Sequence, residues 1–234
     1  MFELAKKTHN DLNQINQWLL KTSLIESYNI DYTIVKDNFI IEPKFRDVQR
    51  SDLDQYELDK EKLSRYEKSY IQMARINDFS FIMFDGAIIQ CYFKFKDKNL
   101  VRQNMSFYQS PFRKPFDLYP ESYFTGSDDH ARFLLMSDLG SVIHFRFDYD
   151  PVNFKEYFHP RTHLHLGMFE NCRIPVLRPL CVLSFFDFII KNFYSELYAA
   201  FNAHLKKFKG LFKERCYPET ITPLEKNTLH ISNS

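Results

Sequence analysis

Hydrophobic and polar positions divide the chain into stretches of two periods. Over residues 8–27, Leu12, Ile15, Leu19 and Leu20 recur at helical spacing, with Thr8, Asn10 or Asp11 available as N-cap, which predicts an amphipathic helix. Ile30, Tyr32 and Ile34, then Phe39 and Ile41, alternate with polar residues and predict a hairpin turning at residues 36–38. Residues 51–74 are highly charged, with Leu53, Leu63, Tyr66 and Tyr70 spaced for one buried stripe on a solvated helix. From Phe79 the period becomes two. Residues 79–84 and 87–95 flank Asp85-Gly86, a dipeptide suited to a tight hairpin, and residues 100–108 add a strand. Residues 109–130, with Pro111, Pro115 and Pro120, read as a long ordered loop.

Two further strands are predicted at 142–149 and 163–168, and Pro175 and Pro179 break the chain after them. Residues 183–208 then place Phe186, Ile189, Ile190, Phe193, Leu197, Phe201, Leu205 and Phe208 on one side of a long helix. The reading is one α+β domain over residues 1–234, an antiparallel β-sheet packed against N-terminal helices and a long C-terminal helix. Within it lie a helix–hairpin–helix region (1–76), a sheet core (79–168), the long helix (183–209) and a tail (210–234) without clear periodicity.

Composition narrows the function classes. Aromatic residues make up 17% of the chain, with 25 Phe and 14 Tyr, and 44% of residues are hydrophobic at a net charge of +1, so disorder is excluded. The five glycines are too scattered for a dinucleotide fingerprint or a phosphate-cradling P-loop. Near-neutral charge argues against a generally basic nucleic-acid surface. The start of the chain lacks the apolar core of a signal peptide, and the most apolar stretch, residues 182–190, falls short of the ~18 residues that a span requires. The four cysteines, Cys91, Cys172, Cys181 and Cys216, form no C-x-x-C pair and read as reduced thiols of a cytoplasmic protein with no membrane association.

Strand parity carries the candidate chemistry. Along residues 141–150, Ile143, Phe145, Phe147 and Tyr149 share one face, and His144, Arg146, Asp148 and Asp150 share the other. Along residues 161–168, Leu164, Leu166 and Met168 oppose Arg161, His163 and His165, and Gly167 continues the polar side with room for a ligand. If the two strands pair, His144, Arg146, Asp148, Arg161, His163 and His165 meet on one face. They supply proton carriers, anion clamps and a carboxylate that orients an imidazole. The competing reading is a solvated polar face without function. His163-x-His165 with Asp148 is a recurrent metal set, though no Cys pair or H-E-x-x-H accompanies it, so the metal and any cofactor stay open. Asp128-Asp129-His130 reads as a turn with a helix N-cap, and Arg173, Arg178 and Lys191 as a basic rim or a solvated edge.

The segments Phe79-Ser80-Phe81-Ile82, Phe145-Arg146-Phe147-Asp148-Tyr149-Asp150, His159-Pro160-Arg161-Thr162-His163-Leu164-His165-Leu166-Gly167 and Arg173-Ile174-Pro175, with Phe193-Tyr194 after them, resemble an uncharacterised bacterial family of unknown function. That resemblance covers most of the chain and implies no established activity. A shorter likeness, limited to residues 145–148 and 159–165, is to TumE-type toxins, whose F-R-Y-D strand and H-x-x-H segment imply a toxin–antitoxin or defence setting. Where the toxin pattern continues Asn-Ala-Pro-His, this chain has Tyr149-Asp150-Pro151-Val152.

Two functions are therefore expected. One is a non-catalytic binding or adaptor subunit of a bacterial anti-phage or related multiprotein module, docking a protein partner such as an ATPase or an antitoxin through helix 183–208 or helix 51–74. The other is a metal-independent or metal-assisted ribonuclease or phosphodiesterase. In it His163 and His165 act as base and acid, Asp148 orients an imidazole, and Arg146 and Arg161 neutralise phosphoryl charge on RNA.

Overall fold

The computed structural model describes residues 2–44, 64–111, 142–169, 171–195 and 216–232. In chain order the elements are α1 (Glu3–Lys21), β1 (Ile25–Tyr28), β2 (Asp31–Val35), β3 (Asn38–Glu42), α2 (Arg65–Arg75), β4 (Phe81–Met83), β5 (Ile88–Lys96), β6 (Asn99–Tyr108), β7 (His144–Tyr149), β8 (Thr162–Leu166), β9 (Arg173–Pro175) and α3 (Val182–Phe193). All nine strands join one antiparallel sheet in the order β1-β4-β5-β6-β7-β8-β9, with β3 also paired to β5 and β2 outside β3. The α+β class with an antiparallel sheet is as expected.

Both predicted hairpins form, at turns where Lys36 (φ 55°) and Gly86 (φ 82°) take the left-handed conformation. The longest ladder, β5 with β6, separates two faces by parity. Ile89, Cys91, Phe93 and Phe95 point with Met105 and Phe107 into the main core, under Leu12, Ile15 and Leu19 of α1 and Phe185, Phe186 and Ile189 of α3. Each such buried side chain contributes roughly 1.5–3 kcal/mol relative to exposure. Ile88 and Tyr108 point the other way, toward Tyr66, Tyr70 and Met73 of α2.

Helix boundaries depart from the periodic reading. α1 begins at Glu3 and ends at Lys21, so Thr8 lies inside it, bonded through Oγ1 to the Leu4 carbonyl (3.0 Å), rather than capping it. Ser23, at φ 54°, turns the chain so that β1 can pair with β4. α2 starts at Arg65 because Ser64 is extended and closes a capping box with Glu67. Of the expected helix over 51–74, the structure describes α2 from Arg65, and residues 51–63 lie outside the described ones.

The long C-terminal helix is not observed as predicted. α3 stops at Phe193, where Tyr194 leaves helical geometry (φ −129°, ψ 44°) and its hydroxyl donates to the Asp85 carboxylate at 3.0 Å. That tie holds Tyr194 against the β4–β5 turn, which a straight helix would carry it past. Residues 196–215, including Phe201, Leu205 and Phe208, lie outside the described residues, as do most of the 109–130 loop and Asp128-Asp129-His130.

The cysteines also differ from expectation. Cys181 and Cys216 form a disulfide with their Cα atoms 5.6 Å apart, while Cys91 and Cys172 are free. No spacing rule could have paired two residues separated by 35 positions; the docking of the tail does. Residues 216–232 lie along the β8–β9 edge, where Ile231 bridges Val176 and the hydroxyls of Thr220 and Thr162 meet at 2.6 Å. Among the described residues, no helix is long and apolar enough to cross a membrane.

Candidate metal centre

β7 and β8 pair in the register that joins the polar positions. Asp148 lies opposite His163 and Arg146 opposite His165, while β6 places Asn104 beside Asp148 and Ser106 beside Arg146. The face expected to be either a site or solvated surface is buried: His163 is 1% exposed, His165 6%, His144 8% and Asp148 9%. Burial on this scale excludes a solvated polar face. A polar cluster there must find partners, because each unsatisfied buried group carries a desolvation penalty.

The partners converge on one point. His163 Nε2 lies 3.0 Å from His165 Nε2. Asp148 Oδ2 is 3.6 Å from the first and 3.4 Å from the second. Asp148 itself is fixed by Asn104 Nδ2, which donates to Oδ1 at 2.8 Å, and by Arg146 Nε, which donates to Oδ2 at 2.8 Å.

The tautomer of His163 follows from what lies behind its ring. His163 Nδ1 is 2.7 Å from the Pro160 carbonyl, which can only accept, so Nδ1 carries the proton and Nε2 of the neutral ring presents a lone pair. His165 turns its Nε2 toward that lone pair: as the Nε2–H tautomer it donates to His163, and as the Nδ1–H tautomer it presents a second lone pair to a cation. Burial, with the Arg146 charge behind it, pushes His165 down to about 3, and burial, opposed by the Pro160 hydrogen bond and aided by the Arg173 and Arg146 charges, pushes His163 down to about 4. Burial also raises Asp148 against the opposing pull of Arg146.

In the Nδ1–H tautomer of His165, two imidazole lone pairs and a carboxylate oxygen face one another. In that tautomer the set is repulsive until a cation lies at its centre. The separations fit one: donor atoms bound to a transition metal at about 2.0–2.1 Å stand about 2.9 Å apart at right angles and about 3.4 Å apart at tetrahedral angles. Among the described residues Asp148, His163 and His165 form the group with ligand atoms all within 4.8 Å. Hydrogen bonds from behind the His163 ring and the carboxylate are the usual means of orienting metal ligands.

The other predicted residues fall on either side of this triad. His144 stacks on Tyr108 with ring centroids 4.1 Å apart, and its Nδ1 donates to the Gly167 carbonyl at 3.0 Å. Its Nε2 is buried without a hydrogen-bond partner among the described residues. Gly167 does not open room for a ligand: it adopts φ +60° and closes a turn onto β7, its amide donating to the His144 carbonyl at 2.7 Å. Arg161 is not brought to the triad. Its guanidinium lies 3.9 Å from the centre of the Phe154 ring and reaches the Thr220 carbonyl, because β8 starts one residue later and the docked tail takes its side chain. Asp150 likewise turns away to Asn153.

Asn104 was not singled out by sequence reasoning. Extending the parity argument to the strand at 100–108 would have found it, since Asn104, Ser106 and Tyr108 share one side. Arg173 and Arg178 part company: Arg178 pairs with Glu219 at 2.9 Å, whereas Arg173 lies opposite His165 on β9.

Comparison with curated proteins returned no match, and neither did comparison with solved structures. The family match that is found carries no link to TumE-type toxins. Residues 28–233, most of the chain, match the family described as an uncharacterized conserved protein (DUF2290), and the protein belongs to that family.

Proposed function

We propose that this protein is a metal-dependent hydrolase of phosphodiesters, with RNA as its substrate class. The observation that supports this reading is the meeting of three possible ligand atoms, on His163, His165 and Asp148, at coordination distances in a buried site. Two imidazoles and one carboxylate suit a divalent first-row transition metal and leave positions open to water and substrate. Such an ion, when bound, lowers the pKa of a coordinated water and polarises a phosphoryl oxygen.

The chain supplies the rest. Arg146, partly exposed and bonded to Asp148, presents the remainder of its guanidinium to solvent, where it can neutralise charge gathering on a phosphoryl group. Asn104 and Arg146 hold Asp148 and the Pro160 carbonyl holds His163, so that little reorganisation accompanies binding. Burial holds the three histidines of the face below their ordinary pKa, which suits ligation by the neutral ring. Among the described residues, Phe185, Phe186, Ile189 and Ile190 of α3 are buried in the chain's own core, so that part of the expected docking helix is not free to meet a partner.

The test is metal content together with cleavage. Protein purified without chelator should carry close to one divalent metal per chain and cleave single-stranded RNA or an aryl phosphodiester. Chelation should abolish cleavage, and restored metal should recover it. Failure to bind metal, or cleavage indifferent to chelator, overturns the reading.

A further inference from the structure

Beside the triad lies a pocket of about 480 Å³, lined by Lys155, Tyr157, Phe158, His159, Asn171 and Arg173 among others. That size is usual for small-molecule sites. It adjoins the metal ligands through two contacts. The His159 ring meets the His163 ring edge to face, with centroids 4.7 Å apart, and Arg173 lies opposite His165 across the β8–β9 ladder.

The lining has two kinds of chemistry. Lys155, His159 and Arg173 bring nitrogen donors, and none of them forms an ion pair with a described carboxylate. Arg173 Nε and His159 Nδ1 are buried with no hydrogen-bond partner among the described residues, and the nearest acceptor to the Arg173 head is the Asn171 amide at 3.5 Å. Basic side chains with no described carboxylate paired to them suit an anionic ligand. The second kind is aromatic. A tight turn, closed by the Lys155–His159 bridge and by Tyr157 at φ 64°, pushes out Tyr157 (52% exposed) and Phe158 (78% exposed). Exposed rings on a strained turn gain nothing for the core; at a pocket mouth they offer a stacking platform.

We propose that this pocket is a nucleotide subsite, in which Lys155 and Arg173 hold a phosphate and Phe158, with Tyr157, stacks against the base. It deepens the phosphodiester reading and rests on it for the chemistry next door. A phosphate on Arg173 lies on the triad side of the pocket, so the nucleotide it belongs to neighbours the bond to be cut.

The experiment measures binding to the full chain stripped of metal, so that the triad's own chemistry does not enter. The probes are AMP, ribose 5-phosphate, inorganic phosphate and a single-stranded pentaribonucleotide. AMP should bind more tightly than ribose 5-phosphate, by five-fold or more, the range of a base–aromatic stack. Phe158→Ala, at an exposed position, should erase that preference while leaving ribose 5-phosphate binding unchanged. Arg173→Gln should weaken all four probes at least ten-fold with an unchanged melting temperature, and Lys155→Gln gives the same readout should Arg173→Gln unfold the protein. A pentaribonucleotide tighter than AMP assigns the subsite to an RNA chain; equal affinity assigns it to a free nucleotide, and both support the proposal. AMP and ribose 5-phosphate binding alike, or affinities unmoved by Arg173→Gln and Lys155→Gln, overturn it. Absence of metal binding alone sinks the hydrolase reading and leaves these affinities standing.

Discussion

His163 and His165 stand two residues apart on one strand, with their Nε2 atoms 3.0 Å from each other. Strand geometry places alternate side chains side by side, but nothing in it turns two rings nose to nose. That orientation is fixed from behind for His163, whose Nδ1 the Pro160 carbonyl holds. The His163 ring cannot rotate away without breaking a buried hydrogen bond, which costs about 1–3 kcal/mol. The chain therefore aims a fixed lone pair of His163 at His165, and under the proposed function a cation bound there would take both rings as ligands.

Metal should stabilise the fold measurably. An ion present at 100-fold its Kd adds about 2.7 kcal/mol to unfolding free energy when the unfolded chain does not bind it. Differential scanning calorimetry of stripped protein with added zinc or manganese should show a rise in Tm that chelator reverses. His165→Ala and Asp148→Asn should each remove the rise. A variant that keeps the full metal-dependent shift would falsify the assigned ligand set.

Acid should destabilise the metal-free protein before the carboxylates titrate. Burial, with Arg146, pushes His144 from the ordinary 6.5 down to about 4, so between those values the unfolded chain binds a proton that the native chain does not. Stability then rises with pH across that window and falls as pH drops through it. His163 and His165 add to the slope in the same sense, and Asp148, raised by burial, opposes it at lower pH. Urea titrations from about pH 7 to about pH 4 should show this loss, and His144→Asn should flatten it. An unchanged slope in that variant removes His144 as a source.

Leu164 faces the core from the same strand whose histidines face the site. It is 9% exposed, and Leu164→Ala should lower stability by about 2–5 kcal/mol through loss of packing. Phe186→Ala, at the α3 contact with Phe81 (5.0 Å between ring centroids), should cost about 3–5 kcal/mol. Neither change touches the triad, so metal stoichiometry measured on the surviving folded protein should stay as in wild type. Loss of metal with unchanged stability in Leu164→Ala would mean that the two faces are exchanged.

Thiol titration separates the cysteines. Under denaturing, non-reducing conditions two thiols should react, Cys91 and Cys172, and after reduction all four. Four reactive thiols without reductant would show that Cys181 and Cys216 are not joined in solution.

Much of this protein is legible from order along the chain. Parity alone put His144, Arg146 and Asp148 on one side of one strand and His163 and His165 on one side of the next, because the strand period of two is local geometry. The turns at Lys36 and Asp85-Gly86 and the apolar face of α3 were legible for the same reason: each depends on residues a few positions apart. What order along the chain left open was settled by contacts between distant segments. Whether the polar face is wet or buried depends on what covers it, and the pairing of Cys181 with Cys216 depends on where the tail docks. Arg161 shares the parity of His163, yet tertiary packing sends it to Phe154 and Thr220. The end of α3 lies at Tyr194 because a carboxylate from another hairpin reaches its hydroxyl. The tautomer of His163 turns on the Pro160 carbonyl behind its ring. Hydrogen-bond direction and burial are properties of assembled neighbours, and no spacing of letters encodes them.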